Sequence, residues 1–280
     1  MRLKKPILFI LILLVQFSYS QDKVRVVLDS VFSYSVNSYK RFNIILPPNY
    51  YNTDERYIVI FLLHGFSGNH NDWINRTGLV KYLTNYNFVV VCPEADNSWY
   101  TNSPFIKNRN YEDYIIKELI PYVEKKYRVI STKHGRAIAG LSMGGYGAIK
   151  FALKYPNYFL MAGSFSGAFR WPFMIEKNKS LINESLKEAF GEKRTEHWDK
   201  NDVATLVDSL KTTNIPYLYL SCGKDDELEG LLDSNRRLLE KLQKKNLLYE
   251  YHELPGGHNW VFWDKEIQSF LRKLTQFVIQ

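Results

Sequence analysis

Residues 57–65 read Tyr-Ile-Val-Ile-Phe-Leu-Leu-His-Gly, an almost unbroken apolar run that ends on glycine. A strand with one wet face alternates apolar and polar residues; a run without alternation reads as a strand buried on both faces. Such strands belong to mostly parallel sheets with helices on each side, so this run constrains the fold more than any other feature of the chain. Similar segments recur at NFVVVCPEA (87–95), GRAIAGLS (135–142), YFLMAGSFSG (158–167), IPYLYLSCG (215–223) and LLYEYHELP (247–255). Helical spacing separates them, over 72–86, 111–127, 144–156, 231–245 and 262–278, with Pro121 expected to kink the second of these. Two earlier segments, VRVVLDSVFS and YKRFNIILPPNY, are predicted to form an antiparallel edge closed by a Pro-Pro turn. The predicted fold is α/β, with a mostly parallel central sheet covered on both faces. A polar, less regular stretch from about 169 to 210 breaks the alternation. It is predicted to be an insertion over the carboxyl edge of the sheet, where sites in such folds form.

With 280 residues, 45% of them hydrophobic, the chain can bury one sizeable core and is expected to be a single domain over 21–280. The first twenty residues, MRLKKPILFILILLVQFSYS, carry Arg2, Lys4 and Lys5, then a short apolar run, then Ser18 and Ser20 before Gln21. This is the layout of a secretory signal peptide, so the mature chain is expected to be exported, with no stable membrane insertion after cleavage. The formal charge is +8, with bases scattered except for Arg236, Arg237, Lys241, Lys244 and Lys245 on one predicted helix. That cluster reads as a solvated helix face rather than a nucleic-acid surface. Cys92 and Cys222 each end a predicted strand and read as two buried thiols. No histidine pair, cysteine cluster or phosphate loop suggests a metal or cofactor, and none is expected.

The chemistry starts at Gly140-Leu141-Ser142-Met143-Gly144, a G-x-S-x-G sequence where a strand gives way to a helix. There a serine on a strained turn points its hydroxyl out of the sheet edge, and small neighbours let strand and helix approach. Ser142 is the candidate nucleophile. A histidine base should follow it, and only His252 and His258 lie late enough. His252 falls inside the last strand; His258 is in the Gly-rich loop after it and is the candidate base. The orienting acid should end a strand between the two, and KDDEL offers Asp225, Asp226 and Glu227. The oxyanion needs two backbone N–H groups. Met143, after the nucleophile, and Phe66, in the HGFSG loop after an early strand, are the candidates.

Taken with ILPPNY, LLHGFSGNHNDW, AGLSMGGYGA, FSGAF, CGKDDEL and LPGGHNW, the chain resembles the esterase D-like branch of the α/β-hydrolases over nearly its whole mature length. That branch includes feruloyl and acetyl-xylan esterases, tributyrin-type esterases, S-formylglutathione hydrolases and mycolyltransferases. The resemblance implies that the acid lies three residues beyond Gly223, at Asp226, with Asp225 as the alternative, and that Phe66 supplies an oxyanion amide. It implies a secreted serine carboxylesterase acting on feruloyl or acetyl esters of plant-type carbohydrate. Acyl transfer to a sugar or alcohol and broad short-chain esterase activity are the alternatives. A complete Ser, Asp and His set argues against a non-enzymatic carbohydrate-binding protein. Trp99, Tyr100 and Trp260, with Trp263, are expected to stack on sugar or phenolic rings. Trp171 and Trp198 of the insertion are expected to roof the site.

Overall fold

The computed structural model describes residues 23–169, 180–212 and 214–278. The signal-peptide reading of residues 1–20, and Trp171, lie outside the described residues. Eight strands form one sheet: β1 (Arg25–Ser33), β2 (Ser38–Leu46), β3 (Ile58–Leu63), β4 (Phe88–Pro93), β5 (Arg136–Leu141), β6 (Met161–Phe165), β7 (Tyr217–Gly223) and β8 (Tyr249–Leu254). Their order across the sheet is β1-β2-β4-β3-β5-β6-β7-β8. β2 is antiparallel to both β1 and β4, and every pairing from β4 to β8 is parallel.

Burial follows from the apolar runs. All residues of β3, β4 and β5 are buried. In β3, Val59, Phe61 and Leu63 enter the core on one face, while Ile58, Ile60 and Leu62 enter the core on the other. Each such side chain contributes about 1.5–3 kcal/mol of burial. The helix Met143–Lys154 is buried over Met143 to Leu153 in the first core. The helix Trp260–Val278 covers the second core through Phe262, Trp263, Ile267, Phe270, Leu271 and Leu274.

Three expectations are modified. The helix predicted over 72–86 is broken into Asp72–Arg76, Leu79–Tyr82 and a 3₁₀ turn at Leu83–Asn85. Thr77 is extended, and the Gly78 N–H donates to Asp264 at 2.8 Å. That partner is distant in sequence, and glycine is a poor helix former. Ahead of Pro121 the helix takes a π-helical turn over Tyr114–Leu119. Finally, the segment between β6 and β7 carries the helices Leu181–Phe190, Glu196–Asp199 and Val203–Ser209. Trp198 does not roof a site; it is buried in the core, its Nε1 donating to the Phe190 carbonyl.

Cys92 and Cys222 are buried free thiols, and burial pushes the Cys222 thiol up to about 12. No helix among the described residues is long and apolar enough to cross a membrane.

Candidate active site

β3 lies between β4 and β5, so the chain leaves β3 toward one side of the sheet and later resumes at β5 on the other. The loops after β3 and β5 therefore emerge side by side at a switch point, with Leu63 paired to Gly140. Ser142 follows β5 and His64-Gly65-Phe66 follows β3.

Ser142 has φ 51° and ψ −115°, a conformation that costs a residue with a side chain about 1–3 kcal/mol. Its surroundings hold it there. Its N–H donates to the Phe165 carbonyl at 2.9 Å, and its own carbonyl accepts from Tyr146 at 3.0 Å and Ala168 at 3.1 Å. A side chain at Gly144 would stand 2.6 Å from the carbonyl oxygens of Leu63 and His64, so strand, turn and helix close only on glycine.

His258 Nε2 lies 3.0 Å from Ser142 Oγ, and its Nδ1 lies 2.8 Å from Asp226 Oδ2. With Nδ1–H donated to a carboxylate, Nε2 presents its lone pair to the serine hydroxyl. The Asp226 side chain is fully buried. The neighbouring acids face elsewhere. Asp225 Oδ2 accepts the Gly256 N–H at 3.2 Å, and Glu227 Oε2 accepts the backbone N–H of His258 at 2.7 Å. That bond holds the Glu227 carboxyl below its usual range. The Trp263 ring packs edge-on against the imidazole, 5.0 Å between centres. His252 stays on β8, stacked near Tyr219 and 3.6 Å from Glu250.

Met143 is the first residue of its helix, so its N–H is among those with no partner inside the helix, at the positive end of the dipole. The Phe66 N–H belongs to the same peptide as the Gly65 carbonyl and points the opposite way from it. His64 fixes that plane: its Nδ1–H donates to Gly65 O at 2.8 Å, and its Nε2 accepts the Ala95 N–H at 3.0 Å. Burial lowers the pKa of His64, which keeps the ring neutral and allows it one donor and one acceptor. A Cβ built on Gly65 would meet Leu141 Cδ1 at 2.5 Å and Ser142 Cβ at 3.6 Å, which shows how closely this loop approaches Ser142.

The aromatic expectations divide. Trp260 and Trp263 line the cavity that contains Ser142 and His258. Trp99 and Tyr100 do not: they are 1% and 0% exposed and belong to the scaffold beneath it. Trp99 Nε1 donates to Ser185, and its ring packs among Phe66, Tyr146 and Phe190. The Tyr100 hydroxyl donates to the His64 carbonyl at 2.9 Å, and the Tyr100 carbonyl accepts from the buried Lys150 at 2.6 Å. Both residues have positive φ, which turns their rings inward from the loop. The cavity holds about 400 Å³, and its apolar walls are Phe66, Leu141, Ile182, Leu228, Trp260 and Trp263. Ile182 and Leu228 were not singled out from the sequence; Ile182 comes from the insertion, where no motif marks it, and Leu228 ends the KDDEL loop, whose acids alone were considered. Among the described residues, no group of three or more His, Cys, Asp or Glu is placed to hold a metal ion.

A mostly parallel sheet with a strained serine at its switch point, joined to a histidine and a buried carboxylate, defines a serine hydrolase of the α/β-hydrolase fold, and the family match makes it a carboxylic ester hydrolase. The chain belongs to the Esterase family, whose model matches residues 33–274. It is 30% identical over 221 residues to an acetyl esterase of Caldicellulosiruptor saccharolyticus, covering 75% of this chain and 80% of that one. Among solved structures it is similar to the fluorophosphonate-binding serine hydrolase F of Staphylococcus aureus, with TM-score 0.79, 25% identity and coverage of 90% and 98% of the two chains. It is also similar to a ferulic acid esterase, with TM-score 0.78, 25% identity and coverage of 91% and 98%.

Proposed function

We propose that this chain is an exported serine carboxylesterase acting on feruloyl or acetyl esters of carbohydrate through an acyl-enzyme. The observation that carries the mechanism is the unbroken line from Asp226 through His258 to Ser142, at 2.8 and 3.0 Å, opening into a mainly apolar cavity. Ser142 Oγ attacks the ester carbonyl while His258 Nε2 takes its proton. The charge that appears on the carbonyl oxygen is met by the Phe66 and Met143 amides, and Asp226 stabilises the imidazolium. When the tetrahedral adduct collapses, the alcohol leaves with the proton from His258. Water, deprotonated by the same imidazole, then attacks the acyl-enzyme and releases the acid.

The acyl group is supported by the aromatic and aliphatic walls of the cavity, which suit a phenolic ring or a small acyl chain. The relatives named acetyl esterase and ferulic acid esterase support the same two groups. Export is supported by the basic, apolar and small-residue order of residues 1–20.

The test is a panel of feruloylated and acetylated xylo-oligosaccharides and simple aryl esters, with wild type and Ser142→Ala. Hydrolysis of carbohydrate esters that falls at least about 10³-fold in the variant is expected. A tenth of the activity surviving in the variant refutes Ser142 as nucleophile. Esters transferred to an added alcohol faster than hydrolysed would make the chain an acyltransferase. N-terminal sequencing of the exported protein should begin at Gln21.

A further inference from the structure

The catalytic cavity does not end at Trp260. Arg76 and Trp260 line it and also line an adjoining, more open groove of about 430 Å³ between the turn at Thr77-Gly78 and the start of the helix Trp260–Val278. The Arg76 guanidinium carbon lies 5.6 Å from the centre of the Trp260 ring. That ring is itself held edge-on by Trp73 and Trp263, at 5.4 and 5.2 Å. The arginine thus rests on a fixed indole face, which limits its rotamers while leaving its planar fork of donors free.

Among the described residues those donors form no hydrogen bond. The carboxylate nearest to Arg76 is Asp72, 3.9 Å away and beyond hydrogen-bonding distance, and the arginine side chain is 59% exposed. Asp72 accepts the Asn69 N–H on its Oδ2 at 3.1 Å, while its Oδ1 is the oxygen toward Arg76. The groove's second cation, Lys265, is exposed and has no ion pair among the described residues. Its acid, Asp264, is committed on both oxygens, to the Gly78 N–H at 2.8 Å and the Tyr82 hydroxyl at 2.7 Å. Asp72 and Asp264 keep their negative charges here, so what the groove offers a ligand is the set of hydrogen-bond donors on Arg76 and Lys265, with Arg76 and Trp260 shared with the cavity that holds Ser142.

We infer that the groove binds a carboxylate on the alcohol portion of the substrate, with Arg76 as its principal partner and Lys265 in support. The substrate class is an ester of an acidic saccharide, or of another alcohol bearing a carboxylate. The alcohol side is assigned because the apolar part of the cavity suits the acyl group, while the open end admits the larger partner. The inference rests on the esterase reading of Ser142 and adds the recognition element to it.

The experiment measures kcat/KM of the mature protein on matched pairs: acetylated xylo-oligosaccharides with and without a glucuronic acid branch, and aryl hemisuccinate against aryl butyrate. In the saccharide pair, the acidic member should be preferred roughly three- to tenfold, through KM, the scale of one solvent-facing charge-assisted contact. The ratio should fall toward one in 1 M salt, where screening shortens to about 3 Å. It should also fall toward one in Arg76→Gln, and persist in Arg76→Lys. Equal rates on the saccharide pair overturn the inference, as does a preference untouched by Arg76→Gln or one seen only in the aryl pair. If aryl acetate and every member of both pairs resist hydrolysis, the esterase reading fails and the inference falls with it.

Discussion

Glu227 Oε2 accepts the backbone N–H of His258 at 2.7 Å. Its neighbour Asp226 takes the ring of the same histidine, and Asp225 takes the N–H of Gly256 in the same loop. Three consecutive acids thus hold one loop in three ways, and only the middle one touches the imidazole. Asp226→Asn is expected to lower kcat about 10³- to 10⁴-fold, because the amide no longer fixes the tautomer or stabilises the imidazolium. Glu227→Gln keeps an acceptor but loses its charge, and should cost less than about tenfold. Asp225→Asn should cost less again. Steady-state kinetics on an aryl acetate rank the three, and Asp225→Asn ranking first would reverse the assignment.

Tyr100 lies beneath the oxyanion loop, not in the cavity, and its hydroxyl holds the His64 carbonyl. Tyr100→Phe leaves that carbonyl without its donor, at a stability cost of about 1 kcal/mol. The loop's contribution is felt as charge develops on the carbonyl oxygen. The variant should therefore lose kcat about fivefold or more with KM within about twofold. A change confined to KM would place Tyr100 in substrate binding instead.

Glu112 is buried between Lys150 and Lys154, with Lys154 Nζ 2.6 Å away and Lys150 Nζ 3.2 Å away. Burial alone would raise its carboxyl, but the two ammonium groups prevail and bring it down from 4.5 to about 2. A carboxyl depressed in the folded chain stabilises the fold above its ordinary range, and that stability is lost as the pH falls through the folded value. Urea unfolding should therefore show wild type losing stability between about pH 4.5 and 2. Glu112→Gln should flatten that slope and cost about 3 kcal/mol at neutral pH, the stability that the depressed carboxyl contributes there. An unchanged slope would remove Glu112 from the acid limb.

A methyl group at Gly144 would press on the backbone oxygens of Leu63 and His64 at 2.6 Å. Neither oxygen is the end of a flexible side chain, so the strand end itself must shift. Gly144→Ala should cost about 2 kcal/mol or more and lower kcat about a hundredfold through displacement of the Phe66 amide. Thermal unfolding and kinetics read the two effects separately, and a variant with wild-type kcat would show that the loop tolerates the shift.

The parallel sheet was legible because β3, β4 and β5 have no polar face, and the site because its parts occupy strand ends in a fixed order. Ser142 and His258 were reached from motif and loop position, whereas the KDDEL loop left three acids open and only the family resemblance singled out Asp226. What could not be read were roles that depend on the direction of a ring. Trp99 and Tyr100 sit in the loop after β4, near the same sheet edge, yet their positive φ values turn them inward. Trp198 was misread for a similar reason: its segment is polar overall, but its own indole is buried. The break at Thr77-Gly78 depends on Asp264, a partner 186 positions away that no local pattern announces.

The parts of the site come from four loops, and the base belongs to the last of them, after β8. The parallel pairing of β8 with β7 and the docking of the helix Trp260–Val278 must both follow synthesis of everything before them. Without them, Ser142 and Asp226 have no imidazole between them. Labelling of Ser142 by an acylating probe therefore reports completion of the whole domain rather than the presence of its serine.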